Sequence, residues 1–303
     1  MKLCFTELVR FHPAQLETLL AIAEDGSFEA AARRLHLTPS AVSQRIRALE
    51  SAAGQVLVRR TTPAEITDAG APLLRLAQQL RMLTAEAGAE LGHDDVVELR
   101  VAVNADSLAT WFRPVLSAIG RLRNTALQLA VEDEGHSHEL LRRGEVLAAV
   151  TKEPRPVQGC NVEFLGSLRY RAAASPELLA EHQHGADVDW SAMPMLVFNE
   201  KDRLQDTVLA AHQASRPRVI HRVPSSADFF EAVRAGLGWG LIPVPQLVPA
   251  LQHGDLVCIP GTGPVDVDLF WQRWRLRSPA LDTLTDMVKA AARSEMHRQE
   301  DSA

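Results

Sequence analysis

A chain of 303 residues with 46% hydrophobic and 23% charged side chains has the composition of a folded protein of two or three domains and excludes a disordered one. Its formal net charge of -6 excludes nucleic-acid binding through the surface as a whole, while leaving room for a local basic patch. Cys4, Cys160 and Cys258 are odd in number and far apart, which excludes a metal or redox spacing and fits a reducing compartment.

No apolar run approaches the roughly 18 residues of a membrane span. The start, MKLCFTELVRFHP, has no apolar core followed by a cleavage site, so the expectation is a cytoplasmic protein that engages no membrane. PAQLETLLAIAED, 13 to 25, places Leu16, Leu19, Leu20 and Ile22 at helical spacing behind Pro13, which predicts an amphipathic helix. Gly26 ends it. Ser27 then N-caps a second helix whose Phe28, Ala31, Ala32 and Leu35 share one side. Thr38 as cap and Pro39 as first residue open a third helix, 39 to about 53, which Gly54 stops.

Two short helices joined by a tight turn form a helix-turn-helix, whose second helix enters the major groove of double-stranded DNA. Val42, Ile46 and Leu49 point inward; Ser40, Ser43, Gln44 and Arg47 point outward near the helix start, where side chains reach bases and phosphates. With Thr38, Pro39, Arg45 and Arg60 they are the candidate DNA-binding residues. Between 28 and 60 the charges are Arg33, Arg34, Arg45, Arg47, Arg59 and Arg60 against Glu29 and Glu50, so the patch is positive although the chain is acidic.

QVLVRRTTPAEIT, 55 to 67, predicts a short β-hairpin, a wing. Thr67 and Asp68 then open a long helix with Leu73, Leu76, Ala77, Leu80, Leu83, Ala87 and Leu91 in a narrow seam. Such a seam pairs helices, here as a homodimer; packing on its own domain is the other reading. From Val96 the pattern becomes β-α-β-α-β, with strands at 98–103, 127–133 and 146–151, and implies a parallel sheet. A second run follows, with strands near 195–200, 218–224, 239–243 and 267–274 and helices near 202–213 and 226–236. Two α/β subdomains joined by crossing strands would enclose a ligand cleft.

Ser27, Phe28, Ala31, Ala32, Leu35, Thr38, Ser40, Ala41, Val42, Ser43, Ile46, Leu49 and Glu50, then Leu57, Arg60, Thr67, Ala69 and Gly70, resemble the N-terminal pattern of the LysR-type transcriptional regulators. The resemblance extends over almost the whole chain. Val58 departs from it, standing where phenylalanine is usual, and the wing tip has Ala64 and Glu65 in place of a basic residue. GQVLVRRTTP, AVNADSLATWF, VEDEGHSHELLRRGEVLAAVT, GLGWGLIP and the FWQRW strand are similar to the arginine- and lysine-responsive branch of that family.

The resemblance implies an N-terminal all-α winged helix-turn-helix over 1–67, a linker and dimerisation helix over 68–93, and an α/β effector domain over 94–303. That domain would be of the two-subdomain, periplasmic-binding-protein-like kind, with one subdomain at about 94–165 and 265–303 and the other at about 166–264. It also implies a homotetramer and a small effector, L-lysine or L-arginine, controlling export or biosynthesis genes.

NADSLATW, 104 to 111, follows the first strand of the second half and opens a helix. Ligands bind at strand C-termini in open α/β sheets, which makes Asn104, Asp106 and Ser107 effector candidates; capping by Asp106 or Ser107 is the ordinary alternative. A cationic effector needs a carboxylate in a partly dry cleft. Asp106 and Asp133 sit at strand ends, with Glu132 and Asp206 weaker candidates. Thr151 ends the third strand, and Ser225 and Ser226 open a helix that faces the ligand or is merely capped by them.

GLGWG, 236 to 240, lies between a helix and a strand, the wrong order for a dinucleotide fingerprint. His136/His138 and His182/His184 lack further ligands at metal spacing, so no metal or cofactor is expected. Trp271 and Trp274 read as core. Ser40 and Ser43 have no partnered histidine and GxSxG is absent, so the chain reads as a non-enzyme. An architectural DNA-binding protein without an effector is the remaining alternative.

Overall fold

The computed structural model describes residues 10–131, 137–185 and 187–296. Helix α1 (Pro13–Asp25) starts on Pro13, and α2 (Phe28–Arg34) starts on Ser27, whose side chain accepts from the Ala30 N–H. Helix α3 (Pro39–Ala53) is capped by Thr38, whose Oγ1 accepts from the Ala41 N–H at 3.2 Å, and is closed by Gly54 at φ 73°. That left-handed conformation suits glycine. Leu16, Leu19, Ile22, Ala31, Ala32, Val42, Ile46 and Leu49 are all buried in one core. The two alanines let α2 come close to its neighbours. Strands β1 (Val58–Arg59) and β2 (Glu65–Ile66) form the antiparallel wing, pinned to the same core by Leu57 and Val58.

Helix α4 (Ala71–Glu90) begins at Ala71, not at Thr67 or Asp68. Thr67 Oγ1 donates to the Val56 carbonyl at 2.8 Å and accepts from the Gly70 N–H at 3.1 Å, which holds 67–70 as a turn beneath the wing. Only glycine fits at position 70, because a Cβ there would stand 2.5 Å from the Leu57 carbonyl oxygen.

The expected seam on α4 divides between two faces. Leu73 and Ala77 are buried with Leu74 in the head's own core. Leu76, Leu80, Leu83, Ala87 and Leu91 are exposed and line up at three-four spacing. The helix thus packs on its own chain with one face and presents an open apolar stripe with the other.

The remaining elements are β3 (Val97–Val103), α5 (Ala105–Ala109), α6 (Arg113–Ile119), β4 (Thr125–Val131), α7 (Ser137–Arg143), β5 (Ala148–Thr151), β6 (Cys160–Ala174), α8 (Pro176–His182), β7 (Gln183–His184), β8 (Asp187–Val188), β9 (Met195–Val197), α9 (Leu204–Ala211), β10 (Ile220–Arg222), α10 (Ser226–Arg234), β11 (Gly240–Pro243), α11 (Val244–His253), β12 (Val257–Cys258), β13 (Val265–Trp274) and α12 (Pro279–Glu295). The main sheet runs β11-β6-β13-β5-β3-β4, with β3 parallel to both β4 and β5.

Strands β6 and β13 are antiparallel and long enough to serve two lobes. One end of the pair lies beside β5; the other end of β6 pairs with β11 and β12. Their register shifts once, between Leu269 and Phe270, where Leu165 is the extra residue of a bulge. Helices α8 and α11 were not foreseen; Pro249 inside α11 disguises its helical pattern.

Helix α4 is fastened to the lobe built on β3, β4 and β5. Arg75 donates to the Arg142 carbonyl at 2.6 Å and lies 4.8 Å over the Trp274 ring. Met82 belongs to that lobe's core. Glu86 accepts from Ser278 Oγ at 2.6 Å and from the Ala280 N–H at 3.0 Å. Glu24 of the head, nearly buried, meets Arg34 at 2.5 Å, Arg81 of α4 at 2.8 Å and Arg100 of β3 at 2.5 Å. Glu98 completes the network with Arg81 at 3.1 Å.

Candidate functional site

The head presents the outer face of α3. Thr38, Pro39, Ser40, Gln44 and Arg47 are exposed on it, and Ser43 is half-buried. Thr38 Oγ1 and Ser40 Oγ share a hydrogen bond of 2.9 Å, which sets both hydroxyls at the helix start. Arg45 is half-buried and leans toward α1, with long contacts to the Ala14 carbonyl (3.5 Å) and Thr18 Oγ1 (3.4 Å); its stem packs between helices. Arg34 is drawn back by Glu24 and Asp25. Arg60 is exposed, with its guanidinium 4.5 Å over the Phe28 ring, a cation–π contact that holds the wing arginine beside α2. The Ser40 N–H, left over at the start of α3, and the hydroxyls beside it form a surface suited to phosphate and base edges.

Between the lobes lies a cleft of about 820 Å³, the size of a small-molecule site. Asn104, Asp106 and Ser226, three of the expected residues, line it. Asn104 is the cap of α5, accepting from the Ser107 N–H at 2.7 Å, so neither Asp106 nor Ser107 caps that helix. Ser107 and Thr151 are fully buried, and Thr151 Oγ1 accepts from the Glu153 N–H. Ser225 caps α10, accepting from the Asp228 N–H at 3.4 Å. None of these three is among the residues that line the cleft. Asp206 is held bidentately by Arg216, at 2.6 and 2.7 Å. Glu132 and Asp133 lie outside the described residues.

Asp106 is the centre of the wall. Ser226 Oγ, from the opposite lobe, donates to its Oδ1 at 2.6 Å, and the Tyr170 hydroxyl, from the crossing strand β6, donates to its Oδ2 at 2.9 Å. Burial pushes the Asp106 pKa up; the two hydrogen bonds oppose the rise, and the like charge of Asp202 adds to it. No cation enters that balance.

The lining also holds charged and polar groups that the sequence does not single out, among them the cations Lys152, Lys201 and Arg203 and the acceptors Asp202, Gln205, Asp266 and Asp268. VDVD, 265 to 268, does carry a signal, since alternate residues on a strand share a face. Lys152 directly follows Thr151 at the end of β5. Trp271 and Trp274 are core, with their Nε1 groups donating to Thr285 and to the Val146 carbonyl. Burial pushes the Cys160 thiol up to about 12, far from a reactive thiolate. Among the described residues no group of three metal-ligating side chains comes together, and no helix is long and apolar enough to cross a membrane.

Residues 13–71 match the family of bacterial regulatory helix-turn-helix proteins of the lysR family, and residues 94–293 match the LysR substrate binding domain. The chain belongs to the LysR family. It is a LysR-type, DNA-binding transcriptional regulator. It is 47% identical over 285 residues to the lysine export transcriptional regulatory protein LysG of Corynebacterium glutamicum, covering 93% of this chain and 98% of that one. It is 38% identical to the HTH-type transcriptional regulator ArgP of Pseudomonas aeruginosa, covering 94% and 97%.

Among solved structures, full-length LysG of C. glutamicum with bound effector Arg superposes with a TM-score of 0.79 at 45% identity, covering 94% of this chain and 99% of that one. ArgP of Mycobacterium tuberculosis superposes with a TM-score of 0.83 at 44% identity, covering 94% and 98%.

Proposed function

We propose that this LysR-type regulator is controlled by a basic amino acid, L-arginine or L-lysine, bound between the lobes, and that it acts in the cytoplasm on amino-acid export or biosynthesis genes. The observation that carries the reading is Asp106. It is a buried carboxylate, held by hydroxyls from two sides, facing the like charge of Asp202 across a cleft with room for a ligand. Lys152, Lys201 and Arg203 also line the cleft, but the groups that bond to Asp106 are hydroxyls, and a cationic amino acid would complement its carboxylate. The effector Arg of the C. glutamicum relative supports the same class.

An architectural protein without an effector leaves this carboxylate with no purpose, and the relatives are regulators. The candidate DNA contacts are Thr38, Pro39, Ser40, Ser43, Gln44, Arg47 and Arg60, with Arg45 supporting α3 from behind. The open stripe of α4 pairs two chains, and effector-domain contacts pair the dimers into a tetramer. The chain performs no catalysis; it converts effector occupancy into a changed disposition of its DNA-binding heads.

The test is a calorimetric titration of the full chain with L-arginine, L-lysine and L-glutamate. Saturable binding of the basic amino acids alone is expected. Saturable binding of L-glutamate, or of none of the three, defeats the basic-effector reading.

A further inference from the structure

We infer that the cleft reads two cations of one effector, and that Asp268 is the residue that selects the distal one. The inference rests on the basic amino-acid reading above. The acids along the cleft differ in what they have left to offer. Asp266 is neutralised by Arg169, whose Nε and Nη2 each donate at 2.8 Å. Asp202 has Oδ1 on the Leu204 N–H at 2.9 Å and Oδ2 on the Phe198 N–H at 2.8 Å.

Asp268 is different. Its cross-strand partner, the nearly buried Ser167, donates to Oδ1 at 2.6 Å, and its Oδ2 carries no hydrogen bond among the described residues. A buried hydroxyl thus aims an exposed carboxylate that lines the cleft and keeps one oxygen open.

A second observation marks the other pole. Gln205, 2% exposed and lining the same cleft, has an Oε1 with no hydrogen-bond partner. It stands in the first turn of α9, directly after Asp202 and Leu204. A buried carbonyl without a donor is costly, and an N–H from a ligand satisfies it. Gln205 Oε1 accepts from a compact α-ammonium, which has three donors, while Asp106 and Asp202, whose oxygens already take hydrogen bonds, supply the negative charge beside it. The exposed Asp268 then takes the second cation. Being open to solvent, it reads charge more than shape, so it accepts an ammonium or a guanidinium head.

The test uses L-arginine and L-citrulline, which share a stem and differ in replacing the guanidinium by a neutral urea. The full chain is titrated by calorimetry as parent, as Asp268→Asn and as Ser167→Ala. The parent is expected to bind arginine and to bind citrulline at least about 100-fold more weakly. Asp268→Asn should weaken arginine by about 10- to 100-fold while leaving citrulline unchanged, so that the ratio collapses. Ser167→Ala should weaken arginine a few-fold and citrulline not at all. A parent-like arginine-to-citrulline ratio in folded Asp268→Asn overturns the assignment of Asp268 and leaves the basic-effector reading intact. A parent that binds neither arginine nor lysine overturns both.

Discussion

Replacing Asp106 by asparagine should make the unliganded protein more stable and at the same time unable to hold its effector. Two hydroxyls donate to this carboxylate, and each hydrogen bond to a charged group contributes roughly 1.5–3 kcal/mol. Taking a carboxylate out of water costs several kcal/mol. Burial prevails, because the pKa lies above its ordinary 3.8 despite both bonds. Asparagine keeps the shape and an acceptor without the charge, so the variant should gain about 1–2 kcal/mol at pH 7.5.

The sign of the pH dependence follows from the same shift. With its folded pKa raised, Asp106 binds a proton more tightly in the native chain than in the unfolded one. Its penalty is absent below the ordinary value of 3.8 and grows as pH rises through the raised value. The stability gap between variant and parent should therefore close as the pH is lowered. Urea unfolding of both proteins from pH 8 down toward the ordinary 3.8, followed by tryptophan fluorescence, measures this. Excess effector should reverse the order, since a ligand at about 100 times its Kd adds about 2.7 kcal/mol to the form that binds it. An unliganded Asp106→Asn that is less stable than the parent at pH 7.5 would show that the carboxylate is a structural tie and refute the reasoning.

Arg47→Ala should weaken operator binding by about 1–3 kcal/mol in a gel-retardation assay, whereas Arg45→Ala should act mainly on stability because that side chain leans toward α1; equal affinity for parent and Arg47→Ala removes Arg47 from the interface. Leu80→Glu combined with Leu83→Glu, on the open stripe of α4, should halve the mass seen by light scattering, and an unchanged mass places the dimer contact elsewhere. Glu24→Gln should cost about 2 kcal/mol of head stability, less than a fully buried pair because its partners are a quarter to nearly half exposed. A urea midpoint unmoved by that change would show that the network carries no weight.

The head was legible because its signals are local. Ser27, Thr38, Pro39 and Gly54 punctuate helices within a few residues of where they act, and the apolar spacing of α3 alone separates Val42, Ile46 and Leu49 from the outward face. The seam of α4 was half legible, since spacing reveals an apolar stripe but cannot say which leucines another part of the chain already covers. In the cleft, Asn104, Asp106 and Ser226 were found at strand ends and helix starts, where topology points. Asp202, Gln205 and Asp268 were not, because their value depends on what stands opposite. Asp268 matters through Ser167, 101 residues away, and Asp106 through Tyr170 and Ser226, 64 and 120 residues away. Strand pairing supplies those partners, and no pattern along one stretch of sequence records it.

The placement of α4 constrains how effector occupancy can reach DNA. Its ties through Arg75, Met82 and Glu86, and the Glu24 network with Arg100, all end on the lobe that contains β3, α7 and α12. Head, linker helix and that lobe therefore move as one body while these contacts hold. The bulge at Leu165 opposite Leu269 and Phe270 interrupts the ladder of the two crossing strands between the lobes, and that is where the pair bends. In the reading proposed above, an effector between Asp106 of one lobe and Asp202 of the other would bias that bend and swing the second lobe, which carries α9 and α10. It does not by itself turn the head of the same chain. A change in head spacing must then pass between chains, through whatever surfaces the second lobe presents to a neighbour, so the oligomer is the smallest unit in which effector binding can alter the grip on DNA.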